Sequence, residues 1–230
     1  MSRRCGVWIV GGAAGLIHCG TALLRLGVLF PVPQLVDFGA FYAGAWALRL
    51  GTSAYFWSPS FLTELAARLG LSVQPSPPIS PPVWLRFMQP LTYLSFGTAA
   101  WVWLGALLAL TVWSALRLAQ IAGCKRVRSR ALVVGLVLTF GPIFLTLTLG
   151  QNSIFLLVAV LVVGRALRCH DGTGGIPAAF ASMLAVAAKV IPLVWLVAVS
   201  LSRRWDLVAA SVGAVVLAFG ADALLDRRGE

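Results

Sequence analysis

The sequence predicts an all-α, polytopic transmembrane helical bundle, and three observations carry that expectation. Of 230 residues, 60% are hydrophobic and only 11% are charged, where a soluble domain carries about a quarter charged residues. The mean hydropathy is +0.92, and several apolar runs approach or exceed the roughly 20 residues a helix needs to cross a bilayer. The 18 lysines and arginines outnumber the 7 carboxylates, for a formal charge of +11. They sit in small clusters between apolar runs, the pattern of positive collars on cytoplasmic loops rather than of a nucleic-acid-binding stripe. No nucleic acid is therefore expected among the partners; the lipid bilayer is. Cys5, Cys19, Cys124 and Cys169 form no CxxC and none lies near both His18 and His170. Neither a disulfide nor a zinc site is expected.

The first apolar run covers residues 7–30. It is too long for a signal peptide and ends without a small-x-small cleavage site, so it is an uncleaved span. Arg3 and Arg4 before it put the N-terminus in the cytoplasm. Gly11, Gly12, Gly15 and Gly20 allow close approach of another helix. His18 and Arg25 interrupt the run, and an ionisable group there costs about 2.5–3.5 kcal/mol on insertion scales. Arg25 is near enough to the outer end to snorkel, while His18 calls for a hydrogen bond inside the bundle.

Residues 31–92 form an external segment. It carries a helix over 38–50, stopped by Gly51. A second helix over 60–71 has Phe61, Leu62, Leu65 and Leu69 on one face, which suits a helix lying on the membrane. The proline-dense stretch 74–82 predicts a stiff, extended loop. The second span covers 93–118. The cluster at 124–130 holds Lys125, Arg126, Arg128 and Arg130 and is cytoplasmic. The runs 131–149 and 153–167 are parted only by Gly150-Gln151-Asn152. They predict a tight helical hairpin with its tip outward. The run 176–201 is interrupted by Lys189 and Pro192. A single crossing would put Arg203 and Arg204 outside, whereas a turn near Lys189 keeps both ends inside. The turn is favoured, since broken helices line cavities. A last run covers 207–225. Residues 1–230 thus make a single integral membrane domain with about six apolar helical segments.

Few residues can carry chemistry. Asp37 and Glu64 are the external carboxylates. Asp37, just beyond an apolar span, can accept a proton from a hydroxyl, and it equally suits the N-cap of a helix beginning at Phe38. Glu64 lies on the amphipathic helix as an interfacial charge. A lone carboxylate cages a hard divalent ion poorly, which favours a metal-independent base and no metal site. Lys189, inside an apolar run, snorkels or meets an anion such as a phosphate. Gln151 and Asn152 either bond sugar hydroxyls or cap the preceding helix. Arg49 and Arg86 fit surface or headgroup contacts. No serine–histidine–acid set, Walker loop, GxGxxG or HExxH is present.

These residues fall in an ordered set. Asp37 is followed by Phe41-Tyr42-Ala43-Gly44, Gly51 and Tyr55. Pro81-Pro82 precede Pro90-Leu91 and Trp103. Gly150-Gln151-Asn152 come next, then Lys189 with Pro192, then Arg203-Arg204-Trp205. Over about residues 7–225 the set resembles glycosyltransferase family 87, the polyprenyl-phosphate-mannose-dependent alpha-1,2-mannosyltransferases of the GT-C superfamily. The resemblance implies a hexosyltransferase that moves mannose from a polyprenyl-phosphate donor to a lipid or glycan acceptor on the outer side of the plasma membrane. No cofactor is expected beyond the polyprenyl-phosphate-linked sugar. By the same resemblance Asp37 is the base, the KxxP lysine falls on Lys189, and the GQxN element falls on Gln151 and Asn152, where this sequence reads GQNS. Tyr42 and Tyr55, in the same set, complete the expected substrate-binding residues. Family members run to about twice this span count, so a C-terminally shortened GT-C core is expected. The alternative is a non-catalytic or truncated paralogue, or a lipid carrier or transport component. A transporter of inverted repeats would carry a helix break in each half, and the sequence shows one.

Overall fold

The computed structural model describes residues 35–51, 59–70, 80–168, 175–188 and 205–226, and every regular element among them is helical. The expected first span with His18 and Arg25, Tyr55, and the Lys189–Pro192 break lie outside the described residues.

Helix α1, Val36–Arg49, begins two residues before the position expected from sequence. Its N-cap is Leu35, which makes no side-chain cap, and Asp37 stands inside the first turn. The capping reading of Asp37 is therefore corrected. Leu35 is buried in the core, and that burial, not a capping oxygen, sets where the helix starts. A carboxylate in the first turn still meets the positive end of the helix dipole. At the other end Gly51 adopts φ 73°, a left-handed conformation that glycine reaches without a Cβ penalty. Helix α2, Pro59–Leu69, turns Leu65 inward and pairs Glu64 with Arg68 at 2.7 Å across one helical turn.

Helix α3, Pro82–Met88, starts on the last proline of the expected loop, because a proline in the first helical position gives up only an N–H that would be unbonded anyway. A 3₁₀ turn, Gln89–Tyr93, leads to Ser95, whose hydroxyl caps helix α4, Phe96–Ile121. The span thus lies three residues later than expected, displaced by Pro90 and the Ser95 cap. At 26 residues it is about 39 Å long.

The next apolar run is not one straight helix. Helix α5, Val127–Thr139, and helix α6, Gly141–Leu149, meet at 61°. Pro142 explains the break, since within a continuous helix its ring would clash with the preceding turn. Helix α7, Ile154–Arg168, follows the Gly150 turn, then α8, Gly175–Ala188, and α9, Trp205–Asp226. The turn is tight as expected, but its two arms pack on α4 rather than along each other. Helix α8 is sandwiched between α7 and α9. By length and composition α4 can cross a membrane, and the bent α5–α6 pair can if it counts as one span.

The main core gathers where α1, α3, α4 and the Gly150 turn meet. Phe38 stacks on Trp103 at 5.8 Å between ring centroids, Trp103 stacks on Phe155 at 5.8 Å, and Trp84 meets Phe155 edge-on at 5.2 Å. Such aromatic pairs each add about 0.5–1.5 kcal/mol beyond burial. The cluster gives the first turn of α1 a rigid backing.

Candidate functional site

The turn after α6 is the point on which the site is built. Gly150 adopts φ 69° and ends α6, with Gln151 N–H donating to the carbonyl of Thr146 at 2.9 Å. The positive φ is one reason for a glycine. The second is close approach, since a Cβ on Gly150 would stand 2.8 Å from the Cβ of Phe38 and 3.0 Å from that of Leu35. The turn therefore rests directly on the first turn of α1, the turn that carries Asp37. Trp103 secures it from the other side, its indole N–H donating to the Gly150 carbonyl at 2.9 Å.

Asp37 stands between exposed Val36 and buried Phe38 and is itself partly buried. Among the described residues its carboxylate has no hydrogen-bond or ion-pair partner. It is held by its backbone and left open at its oxygens.

Gln151 and Asn152, adjacent in sequence, point to different surroundings. Gln151 is half-buried, and its amide oxygen accepts from Ser153 at 3.4 Å. Asn152 is 2% exposed. Its amide nitrogen donates to the carbonyl of Ala188 at 2.9 Å and to the Ser80 hydroxyl at 3.4 Å. Ala188 is the last residue of α8 and Lys189 follows it in the chain. Three distant segments, the Ser80 end of α3, the Gly150 turn and the end of α8, are thus tied together beside α1.

Tyr42 lies further along α1. It is buried, and its hydroxyl donates to the carbonyl of Leu94 at 2.7 Å. Burial raises the phenol above its ordinary value, and the nearby Arg49 guanidinium offsets part of that rise. Arg49 donates to the Thr92 carbonyl at 2.6 Å and lies 4.9 Å over the Tyr93 ring. Tyr42 and Arg49 together staple the C-terminal half of α1 to the 3₁₀ turn and the start of α4.

The sequence alone singles out Asp37, Gln151 and Asn152 and passes over Leu35, Ser80 and the role of Trp103. The fold seats Gly150, which precedes the two amides, against the first turn of α1, which carries Asp37, while the Asn152 side chain turns away to Ala188 and Ser80. A tryptophan inside an apolar span is a usable signal, because its buried N–H needs an acceptor. Ser80 and Leu35 carry no such signal.

Residues 79–228, 150 of the 230, match the family model described as glycosyltransferase family 87. No curated protein and no solved structure matches the chain. The matched stretch contains Ser80, Trp103, Gly150, Gln151, Asn152, Ala188 and Lys189, whereas Asp37, Tyr42 and Tyr55 precede it. It starts well after residue 7, where the resemblance read from motifs begins. With the Gly150 turn and the end of α8 both inside the match, the chain belongs to glycosyltransferase family 87.

Proposed function

We propose that the chain transfers a hexose, mannose by family resemblance, from a polyprenyl-phosphate donor to a glycolipid or glycan acceptor at the outer face of the plasma membrane. Asp37 accepts the proton of the acceptor hydroxyl. The oxygen so activated attacks the anomeric carbon and forms the new glycosidic bond with inversion. The bond from that carbon to the phosphate oxygen breaks, and polyprenyl phosphate leaves with the bonding electron pair. Lys189 balances the charge that gathers on the phosphate. Gln151, half-exposed at the turn, bonds sugar hydroxyls.

The observation that carries this reading is the contact of Gly150 with Leu35 and Phe38. It supports a shared site for Asp37, outside the family match, and the Gln151–Asn152 element, inside it. A partly exposed carboxylate without a partner among the described residues suits a general base, a role worth about 10²–10⁴-fold in rate.

The distribution of charge along α4 supports the side of the membrane. Trp103, near the N-terminal end of α4, contacts the Gly150 turn. Arg117, Lys125, Arg126, Arg128 and Arg130 cluster at its other end, in the following loop and at the start of α5, and no lysine or arginine lies between Arg86 and Arg117. Positive residues stay on the cytoplasmic side, which leaves the Asp37 end outside and, with Arg3 and Arg4, the N-terminus inside a multi-pass arrangement.

The test is incorporation of labelled hexose from polyprenyl-phosphate-hexose by membranes that contain the full chain. Wild type transfers the label, and Asp37→Asn at equal expression does not. Full activity in Asp37→Asn sinks the assignment of the base.

A further inference from the structure

We infer that the elbow between α4 and α5, together with the outward face of α5, seats one anionic phospholipid in the leaflet opposite the Asp37 turn. The inference rests on α4 being a membrane span and on no step of the transfer reaction.

The elbow gathers cations on a braced turn, at the end of α4 remote from Trp103 and Gly150. Gly123 takes φ 74° and closes α4, with Cys124 N–H donating to the Ala119 carbonyl at 2.9 Å. Arg130 donates its Nε–H to the Cys124 carbonyl at 3.0 Å, so its guanidinium is committed to the turn. Arg117 lies over the Trp113 ring and donates to Gln120. Lys125, Arg126 and Arg128 are exposed, and among the described residues their side chains have no hydrogen-bond or ion-pair partner. The sequence holds no carboxylate between Glu64 and Asp171, so no neighbour along the chain neutralises them.

Helix α5 leaves its apolar surface open. None of its residues is buried, and it packs chiefly on α4. Arg128, Leu132, Leu136 and Phe140 recur at every fourth position, which sets them in one row along the helix. Leu132, Leu136 and Phe140 are 61%, 47% and 54% exposed. Beside the row, a Cβ on Gly135 would meet nothing within 4 Å.

Charge and length name the occupant. From Arg128 to Phe140 the row rises about 18 Å, and one leaflet of hydrocarbon is about 15 Å thick. An acyl chain can therefore lie along the leucines while its headgroup phosphate meets Lys125, Arg126 and Arg128. Beyond Phe140 the chain bends by 61°, so the row ends where the leaflet ends. A soluble anion would use the cations and leave the leucines bare. A zwitterionic lipid would use the leucines and leave the cations uncompensated.

Native mass spectrometry of the full chain in detergent, titrated with phosphatidylglycerol or with phosphatidylcholine of equal acyl chains, tests the seat. Each cation near an anionic lipid surface is worth about fivefold in binding. Wild type should bind one phosphatidylglycerol at least tenfold tighter than phosphatidylcholine. Lys125→Gln and Arg128→Gln should each weaken phosphatidylglycerol about fivefold and leave phosphatidylcholine unchanged. These single changes at exposed positions keep the rest of the positive collar. Leu136→Ser should weaken both lipids, and Arg68→Gln on α2 should change neither. Glycerol 3-phosphate at equal concentration should not displace the bound lipid. Equal affinity of wild type for the two lipids overturns the inference, as does unchanged phosphatidylglycerol binding in both charge variants. Displacement by glycerol 3-phosphate would make the elbow a soluble-anion site, and a dimer lost in Leu136→Ser would make the occupant a second copy; either overturns it. If alkaline carbonate extracts the chain from membranes, α4 is no span and the inference falls with it. If the chain resists extraction and shows no lipid preference, the span stands and this inference alone fails.

Discussion

Trp103 donates its indole N–H to the carbonyl of Gly150 across 2.9 Å, from the long helix α4 to the turn between α6 and α7. The same indole ring stacks on Phe38, one residue beyond Asp37. A single side chain thus braces both the turn and the helix that bears the candidate base.

Trp103→Phe keeps most of the stacking and removes the donor. It leaves the Gly150 carbonyl buried and unbonded, a loss of about 1–3 kcal/mol. The expected outcome is a lower thermal midpoint in detergent, with transfer activity reduced more than stability alone explains, because the turn beside Asp37 is loosened.

Gly150→Ala meets two obstacles at once. The left-handed backbone costs an L-residue roughly 1–2 kcal/mol, and the added methyl meets Phe38 and Leu35 at 2.8 and 3.0 Å, where overpacking costs about 1–3 kcal/mol more. Gly51→Ala is the control, since it shares the positive φ but has no atom within 4 Å. The expected result is a large loss of stability and of hexose transfer for position 150, and a small loss of stability alone for position 51. Equal behaviour of the two variants would show that the contact with α1 does not matter.

Asp37→Asn removes the base while keeping size and backbone preference close. Transfer should fall by on the order of 10²–10⁴-fold with melting temperature nearly unchanged, since the carboxylate has no bonded partner among the described residues. Donor binding in nanodiscs should persist. A variant that loses donor binding as well would point to a role in the ground state rather than in proton transfer.

Tyr42→Phe tests the staple at the other end of α1. Loss of the bond to Leu94 should cost about 0.5–1.5 kcal/mol, the net worth of one hydrogen bond whose exposed acceptor can turn to water, and should leave the pH profile of transfer unchanged. The phenol is raised by burial above its ordinary value of about 10. Its contribution is complete below that pH and declines as pH rises through 10 toward the folded value, because the unfolded chain loses its proton first. Wild type should therefore lose stability more steeply than Tyr42→Phe as the pH rises past about 10.

Arg49→Met separates staple from headgroup contact. The guanidinium already donates to Thr92 and lies over Tyr93, so its removal should lower stability by about 1–3 kcal/mol whatever the lipid composition. A loss seen only with anionic lipid would assign Arg49 to the membrane surface instead.

The helical class and the long apolar helix α4 were legible in the sequence, because composition and apolar runs are local properties. The sequence also located the Gly51 stop and the Gly150 turn, since glycines between apolar runs signal breaks by backbone chemistry alone. Helix starts were harder. Leu35 begins α1 because its side chain is buried by distant residues, and Pro142 splits a run that hydropathy reads as continuous. The pairings of the site were beyond local pattern altogether. Trp103 and Gly150 are 47 residues apart, Asn152 and Ala188 are 36 apart, and Asn152 and Ser80 are 72 apart. That Asn152 turns inward to the Ala188 carbonyl while Gln151 stays half-open follows from the packing of segments far apart in the chain. Two neighbouring amides have the same chemistry, and burial against other segments is what divides them.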